Sequence, residues 1–67
     1  MTSNPTIHCI QLDTLVSPRL ICGVSESKSA RRASDLAYAL LVRVEVFKET
    51  ENGSKGELIA VFNGAPL

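Results

Sequence analysis

The chain has 67 residues, a mass of 7.2 kDa and a formal net charge of zero. Its hydrophobic fraction of 45% excludes a disordered chain, and its length predicts one small domain over residues 1–67. The seven basic and seven acidic residues balance, so no strong overall field directs the protein to nucleic acid or to an anionic membrane.

The first third of the chain predicts a hairpin. Residues 1–5 are small and polar, and we expect them to be frayed. Residues 6–12 are rich in apolar and β-branched side chains, which is typical of a strand. Residues 13–18 have turn chemistry, and residues 19–24 read as a second strand.

A helix is predicted from residue 28 to about residue 41, after Ser25 and Ser27, which are suitable N-caps. Its apolar residues recur at helical spacing on one side. They are Ala30, Ala33, Leu36, Ala37, Leu40 and Leu41.

The hydrophobic period then changes from that of a helix to that of a strand. Val42, Val44 and Val46 are separated by single residues, as in a half-buried strand. Asn52–Gly53 predicts a turn, and residues 57–63 predict the last strand. The order β-β-α-β-β indicates an α+β fold, a four-stranded, mainly antiparallel sheet with one helix packed on one face. The expected core is Leu36, Ala37, Leu40, Val44, Val46, Ile59 and Val61.

Both hairpins are predicted to be apolar on both faces. A turn centred on Asn52–Gly53 pairs Val44 with Val61 and Val46 with Ile59 on one face, and it pairs Phe47 with Leu58 on the other. Closure of the first hairpin over residues 13–18 pairs Leu12 with Arg19 and Cys9 with Cys22. The apolar residues left for the second face are Ile10, Leu12, Ile21, Phe47, Leu58 and Phe62.

One helix covers one face, so this excess set predicts a protein-binding surface, most simply that of a homodimer. Arg43 and Glu45 lie on the same face and would pair reciprocally across a two-fold axis. A different target is equally compatible, as for a small inhibitor or accessory protein of bacterial or phage type. In another interpretation, loop residues such as Leu15, Val16 or Leu67 fold over this face.

A second candidate site is the basic start of the helix. Lys28, Arg31 and Arg32 crowd an end where cations oppose the helix dipole. They are either a solvated face, balanced by Asp35, or a contact for an anion or nucleic-acid phosphate.

The sequence gives little support for catalysis or for metal binding. Ser25 lies in a sequence that resembles a nucleophile elbow, but the last glycine of that motif is missing and His8 is the only histidine. His8 and Cys9 are adjacent on a strand and point to opposite faces, so His8, Cys9 and Cys22 do not supply three convergent ligands. We therefore expect a protein that is not an enzyme and has no metal or cofactor.

No signal-peptide pattern opens the chain, and no apolar run approaches the length of about 20 residues that a membrane span needs. Two cysteines do not make a disulfide framework. These features predict a cytoplasmic protein in which both thiols are reduced and buried.

Overall fold

The computed structural model describes residues 6–13 and 18–64. In chain order the elements are β1 (Ile7–Asp13), β2 (Arg19–Ser25), α1 (Glu26–Leu40), β3 (Arg43–Glu49) and β4 (Lys55–Asn63). The strands form one antiparallel sheet in the order β2-β1-β3-β4, and α1 packs on one face. The predicted α+β fold is therefore confirmed.

Some predictions lie outside the described residues. These are the fraying of residues 1–5, most of the first turn, and the folding of Leu15, Val16 or Leu67 over the sheet. In the part of the chain that the structure describes, no helix is long and apolar enough to cross a membrane.

The core lies between α1 and two rows of side chains that run across the sheet. One row is Arg19, Leu12, Val44 and Phe62, and the other is Ile21, Ile10, Val46 and Ala60. Ile10 and Val44 at the centre of these rows are fully buried. Strand order explains this burial, because β1 and β3 are the two inner strands beneath the helix.

Small side chains bring α1 close to the sheet. Its buried residues are Ser29, Ala33 and Ala37, with Leu36 partly buried against the core. The prediction that Leu40 belongs to the core is wrong, because its side chain is 51% exposed. The helix also begins two residues earlier than predicted, at Glu26.

The register of β3 and β4 differs from the predicted one. The turn closes with Thr50 N–H donating to Ser54 O at 2.9 Å, and Gly53 takes a φ of +77°. Two β-bulges then shift the pairing between Val46 and Glu49. As a result Val44 faces Phe62 instead of Val61, although the predicted pairing of Phe47 with Leu58 is confirmed.

This shift moves core residues of β4 to the opposite face. Ile59 and Val61, which were expected in the core, are 48% and 43% exposed, while Ala60 and Phe62 pack against the core. Phe47 and Leu58 keep the predicted register, and the bulge between Val46 and Phe47 then adds one residue to β4, which reverses the face that the following side chains occupy.

The register of β1 and β2 follows the prediction from Leu12 to Ile10. Leu12 pairs with Arg19, and Ile10 pairs with Ile21. A bulge near Gly23, which has a φ of +78°, then shifts the pairing so that His8 faces Val24. The prediction for this hairpin is wrong about which sheet face the helix covers. Helix α1 covers the face that carries Ile10, Leu12 and Ile21, which was expected to be the uncovered face.

Candidate functional site

The sheet face opposite α1 is the candidate site, and we call it the open face. Its two rows are Leu20, Gln11, Glu45 and Val61, and Cys22, Cys9, Phe47 and Leu58, with Glu49 and Lys55 beside them. Among the described residues, no segment packs over this face. Leu20, Leu58 and Val61 are therefore 48%, 46% and 43% exposed.

The structure divides the predicted partner-binding residues between the two faces. Phe47 and Leu58 lie on the open face, as expected. For the other four residues the prediction is wrong, because they face the helix. Ile10 and Leu12 are buried there, and Ile21 and Phe62 are partly buried in the core. Leu20 and Val61, which were not expected in this set, join Phe47 and Leu58.

A polar contact crosses the open face at Phe47. Lys55 Nζ lies 4.6 Å from the centroid of the Phe47 ring, and the same ammonium donates to Gln11 Oε1 at 2.7 Å. Lys55 therefore connects β4 to β1 over β3. A cation held over an aromatic face in this way is attracted by the ring electrons, and it shields part of the Phe47 ring from water.

The prediction that both thiols are reduced is wrong in this structure, where Cys9 and Cys22 form a disulfide. Their predicted cross-strand proximity is confirmed by that bond. Cys9 is fully buried although it lies on the open face. It is covered by Glu49, whose Oε1 atom lies 3.8 Å from Cys9 Sγ.

Glu49 is held in place by the backbone. Gly23 N–H donates to Glu49 Oε1 at 2.7 Å, across the intervening strand β1. The Sγ atoms of Cys9 and Cys22 and a carboxylate oxygen of Glu49 all lie within 4.8 Å of one another. Sequence reasoning missed this cluster, because Glu49 is far along the chain and belongs to no recognisable motif.

Charges on the open face pair within the chain. Arg43 and Glu45, which were expected to pair across a two-fold axis, form a salt bridge with each other at 3.4 Å. Their side chains are 53% and 23% exposed. An ion pair as exposed as this contributes little to stability, so it remains free to exchange partners.

His8 pairs with a serine, but not with Ser25. His8 Nδ1 lies 2.6 Å from Ser29 Oγ, and Ser29 Oγ also donates to Glu26 O at 3.2 Å. Both side chains are buried between β1 and α1. Ser25 is the N-cap residue by position, yet its side chain makes no capping hydrogen bond.

The basic residues at the start of α1 lie together on its outer side. Lys28, Arg31 and Arg32 are exposed, and with Ser27 and Asp35 they line a shallow open concavity. Among the residues that the structure describes, those lining this concavity all belong to α1.

No protein-family model matches the chain, and comparisons with the curated proteins and with the solved structures found no match either.

Proposed function

We propose that this protein is a non-catalytic assembly module that pairs with a second copy of itself through the open face. The observation that carries this proposal is the exposure of Leu20, Leu58 and Val61 on a sheet face that no described segment covers. They lie on the same face as Phe47 and the disulfide, with the polar residues Gln11 and Glu45 between Leu20 and Val61. Apolar patches of this kind mark protein interaction sites.

The charges of the open face favour a second copy as the occupant. Asp13, Glu45 and Glu49 carry negative charge there, and Arg43 and Lys55 carry positive charge. The face therefore carries both signs of charge and a net charge of only −1, so the repulsion between two copies is small. Around a two-fold axis each acidic group can approach a basic group of the other protomer.

The size of the face predicts a weak dimer. Three strands of seven residues and one of nine cover about 19 Å across the strands by about 23 Å along them, or roughly 440 Å² in projection. A standard interface buries about 800 Å² on each partner, and smaller interfaces belong to transient complexes. The fraction of dimer should therefore change with protein concentration over a range that solution experiments can reach. It should also stabilise the fold, because a chain of this length buries only a small core.

Sedimentation equilibrium over micromolar to millimolar concentrations tests this proposal. The wild-type protein should pass from monomer to dimer, and Leu58→Asp or Val61→Asp should raise the dissociation constant by at least about tenfold. Tyr38→Asp is the matched control, because Tyr38 is 72% exposed on the helix. A wild-type protein that stays monomeric at every concentration would remove the homodimer and leave a different protein as the partner. Such a target would make the chain a small inhibitor or accessory protein of bacterial or phage type.

The anion-binding alternative rests on the concavity lined by Lys28, Arg31 and Arg32. Three exposed cations near a helix N-terminus suit a phosphate group of a nucleic acid. Binding of this kind weakens steeply as salt rises. A gel shift with DNA and RNA at low salt tests it, and the double variant Arg31→Glu, Arg32→Glu should abolish the shift without unfolding the protein. An unshifted band at low salt would exclude this alternative.

The cytoplasmic location remains part of the proposal, and it bears on the cysteines. In a reducing compartment Cys9 and Cys22 would be thiols, whereas disulfides persist in oxidising compartments. Lysis of the cells under denaturing conditions with an alkylating agent, followed by mass measurement, distinguishes the two states and also reaches the buried Cys9. Two alkyl groups per chain support the cytoplasmic location, and none contradicts it.

A further inference from the structure

We propose that reduction of the Cys9–Cys22 disulfide creates a zinc site formed by Cys9 Sγ, Cys22 Sγ and the carboxylate of Glu49. This site goes beyond the assembly function and does not depend on it. Its basis is the convergence of three ligand atoms from β1, β2 and β3 within 4.8 Å of one another.

The spacing of the three atoms suits tetrahedral zinc. Thiolate ligands lie about 2.3 Å from the ion, so two of them are about 3.8 Å apart once the sulfur–sulfur bond is broken. The three ligand atoms therefore need only small side-chain rotations. Two thiolates and a carboxylate select zinc over magnesium or calcium, which prefer oxygen ligands alone.

A supporting hydrogen bond already orients the carboxylate. Gly23 N–H donates to Glu49 Oε1 at 2.7 Å, while the same oxygen lies 3.8 Å from Cys9 Sγ. Interactions of this type fix a ligand in its binding position and raise metal affinity. The backbone at Gly23 can provide it because the bulge there points the N–H group toward Glu49.

The proposed zinc site is accessible to solvent from one side only. Cys9 is fully buried, whereas Cys22 and Glu49 are partly exposed and give an ion a path from solvent. The three protein ligands leave a fourth tetrahedral position for a solvent molecule on the open side. The ion would neutralise the charge of the buried Cys9 thiolate, and this offsets the free-energy cost of burying that charge.

The oxidised and reduced states exclude one another. A dithiol or phosphine reductant transfers two electrons to the disulfide, and two protons convert its sulfurs into thiols. Zn²⁺ binding then releases these two protons as both thiols become thiolates. Reformation of the disulfide by an oxidant such as a small-molecule disulfide removes two electrons and releases the ion. The site thus holds zinc only under reducing conditions.

Titration of the full chain with Co²⁺ and Zn²⁺ tests the site, with and without a phosphine reductant. The reduced protein should bind one Co²⁺ with the absorption of thiolate–cobalt charge transfer, and Zn²⁺ should displace it. The oxidised protein should show no such band. Reduced protein that gives no charge-transfer band, and releases no protons on addition of Zn²⁺, would overturn the proposal.

Variants assign the ligands. Cys22→Ser should abolish the charge-transfer band, and Glu49→Gln should weaken zinc affinity at least about tenfold. The amide of Gln keeps an oxygen that accepts from Gly23 N–H, so the fold is preserved. Glu45→Gln is the matched control on the same strand and face, and it should bind zinc like the wild type. Equal zinc affinity of the Glu49 and Glu45 variants would refute this ligand set. A reduced protein that unfolds and is not refolded by zinc would also refute it. Circular dichroism measures the fold in each sample.

Discussion

The imidazole of His8 and the hydroxyl of Ser29 form a buried hydrogen bond of 2.6 Å between β1 and α1. Both residues sit within an otherwise apolar layer and are 6% and 2% exposed. A buried polar group without a partner costs free energy, whereas a satisfied pair is tolerated and fixes its two elements relative to each other. The contact therefore helps to place the helix over the sheet.

Ser29→Ala should lower the free energy of unfolding by about 1–3 kcal/mol, because it leaves His8 Nδ1 buried without its partner. Ser34→Ala is the matched control, a serine-to-alanine change on the same helix that gains the same intrinsic helix propensity. Chemical denaturation of the two variants measures the difference. Equal stability of the two proteins would show that the His8 contact contributes nothing.

Gly64 should not tolerate a side chain. A Cβ atom at this position would overlap the Ala37 carbonyl and the Tyr38 nitrogen at the end of α1. Gly64→Ala should therefore destabilise the protein by about 2 kcal/mol or more, as expected for an overlap with backbone that cannot move away.

Gly53→Ala provides the comparison for this prediction. Gly53 has open space around its Cα but a φ of +77°, so alanine there should cost about 1 kcal/mol through the left-handed backbone alone. The melting temperature measured by thermal denaturation should be lower for Gly64→Ala than for Gly53→Ala. The reverse order would contradict the close packing of Gly64 on the helix.

The register of β3 and β4 predicts opposite sensitivities for two neighbouring residues. Phe62 packs against the core, whereas Val61 is 43% exposed on the open face. Phe62→Ala should cost about 2–4 kcal/mol, and Val61→Ala less than about 1 kcal/mol. These free energies are measured by denaturation of dilute, monomeric protein.

Without the bulge at Ile59 this pattern would be reversed, because the pairing of Phe47 with Leu58 would continue and Val61 would face Val44 beneath the helix. The two alanine variants thus distinguish the observed pairing of Val44 with Phe62 from the register without this bulge. A larger loss of stability in Val61→Ala would show that the bulge at Ile59 is absent.

Reduction of the disulfide should destabilise the metal-free protein. The bond between Cys9 and Cys22 spans a sequence separation of 13, and closing a loop of that size contributes about 3 kcal/mol in the chain-entropy estimate. Denaturation with and without a reductant measures this difference. The double variant Cys9→Ala, Cys22→Ala is the control and should not respond to the reductant. An equal response of both proteins would mean that the effect does not arise from this bond.

Much of the local structure was accessible from the sequence because short-range patterns encode it. The alanine-rich helical spacing predicts α1, alternating valines predict β3, and Asn52–Gly53 predicts the second turn. The pairing of Leu12 with Arg19 and the proximity of Cys9 to Cys22 follow from closing one short hairpin. All of these features depend on residues close together along the chain.

The sheet face covered by α1 was decided only by the tertiary structure. Apolar residues occupy both faces of each hairpin, so periodicity alone cannot select one. The bulge at Ile59 leaves no clear sequence signature, whereas the lone glycine at Gly23 is a typical bulge signal, and each bulge reverses the faces of the side chains beyond it. For this reason Phe62 is in the core and Val61 is outside.

The cluster around the cysteines is the clearest case of tertiary control. The sequence by itself determined that Cys9 and Cys22 are neighbours and that His8 points away from them. It could not supply Glu49, because that residue reaches the disulfide only when β3 pairs on its other edge with β1, which is distant along the chain. Pairing of strands distant in sequence depends on packing of the whole sheet against the helix, and that packing brought the third ligand atom to the two sulfurs.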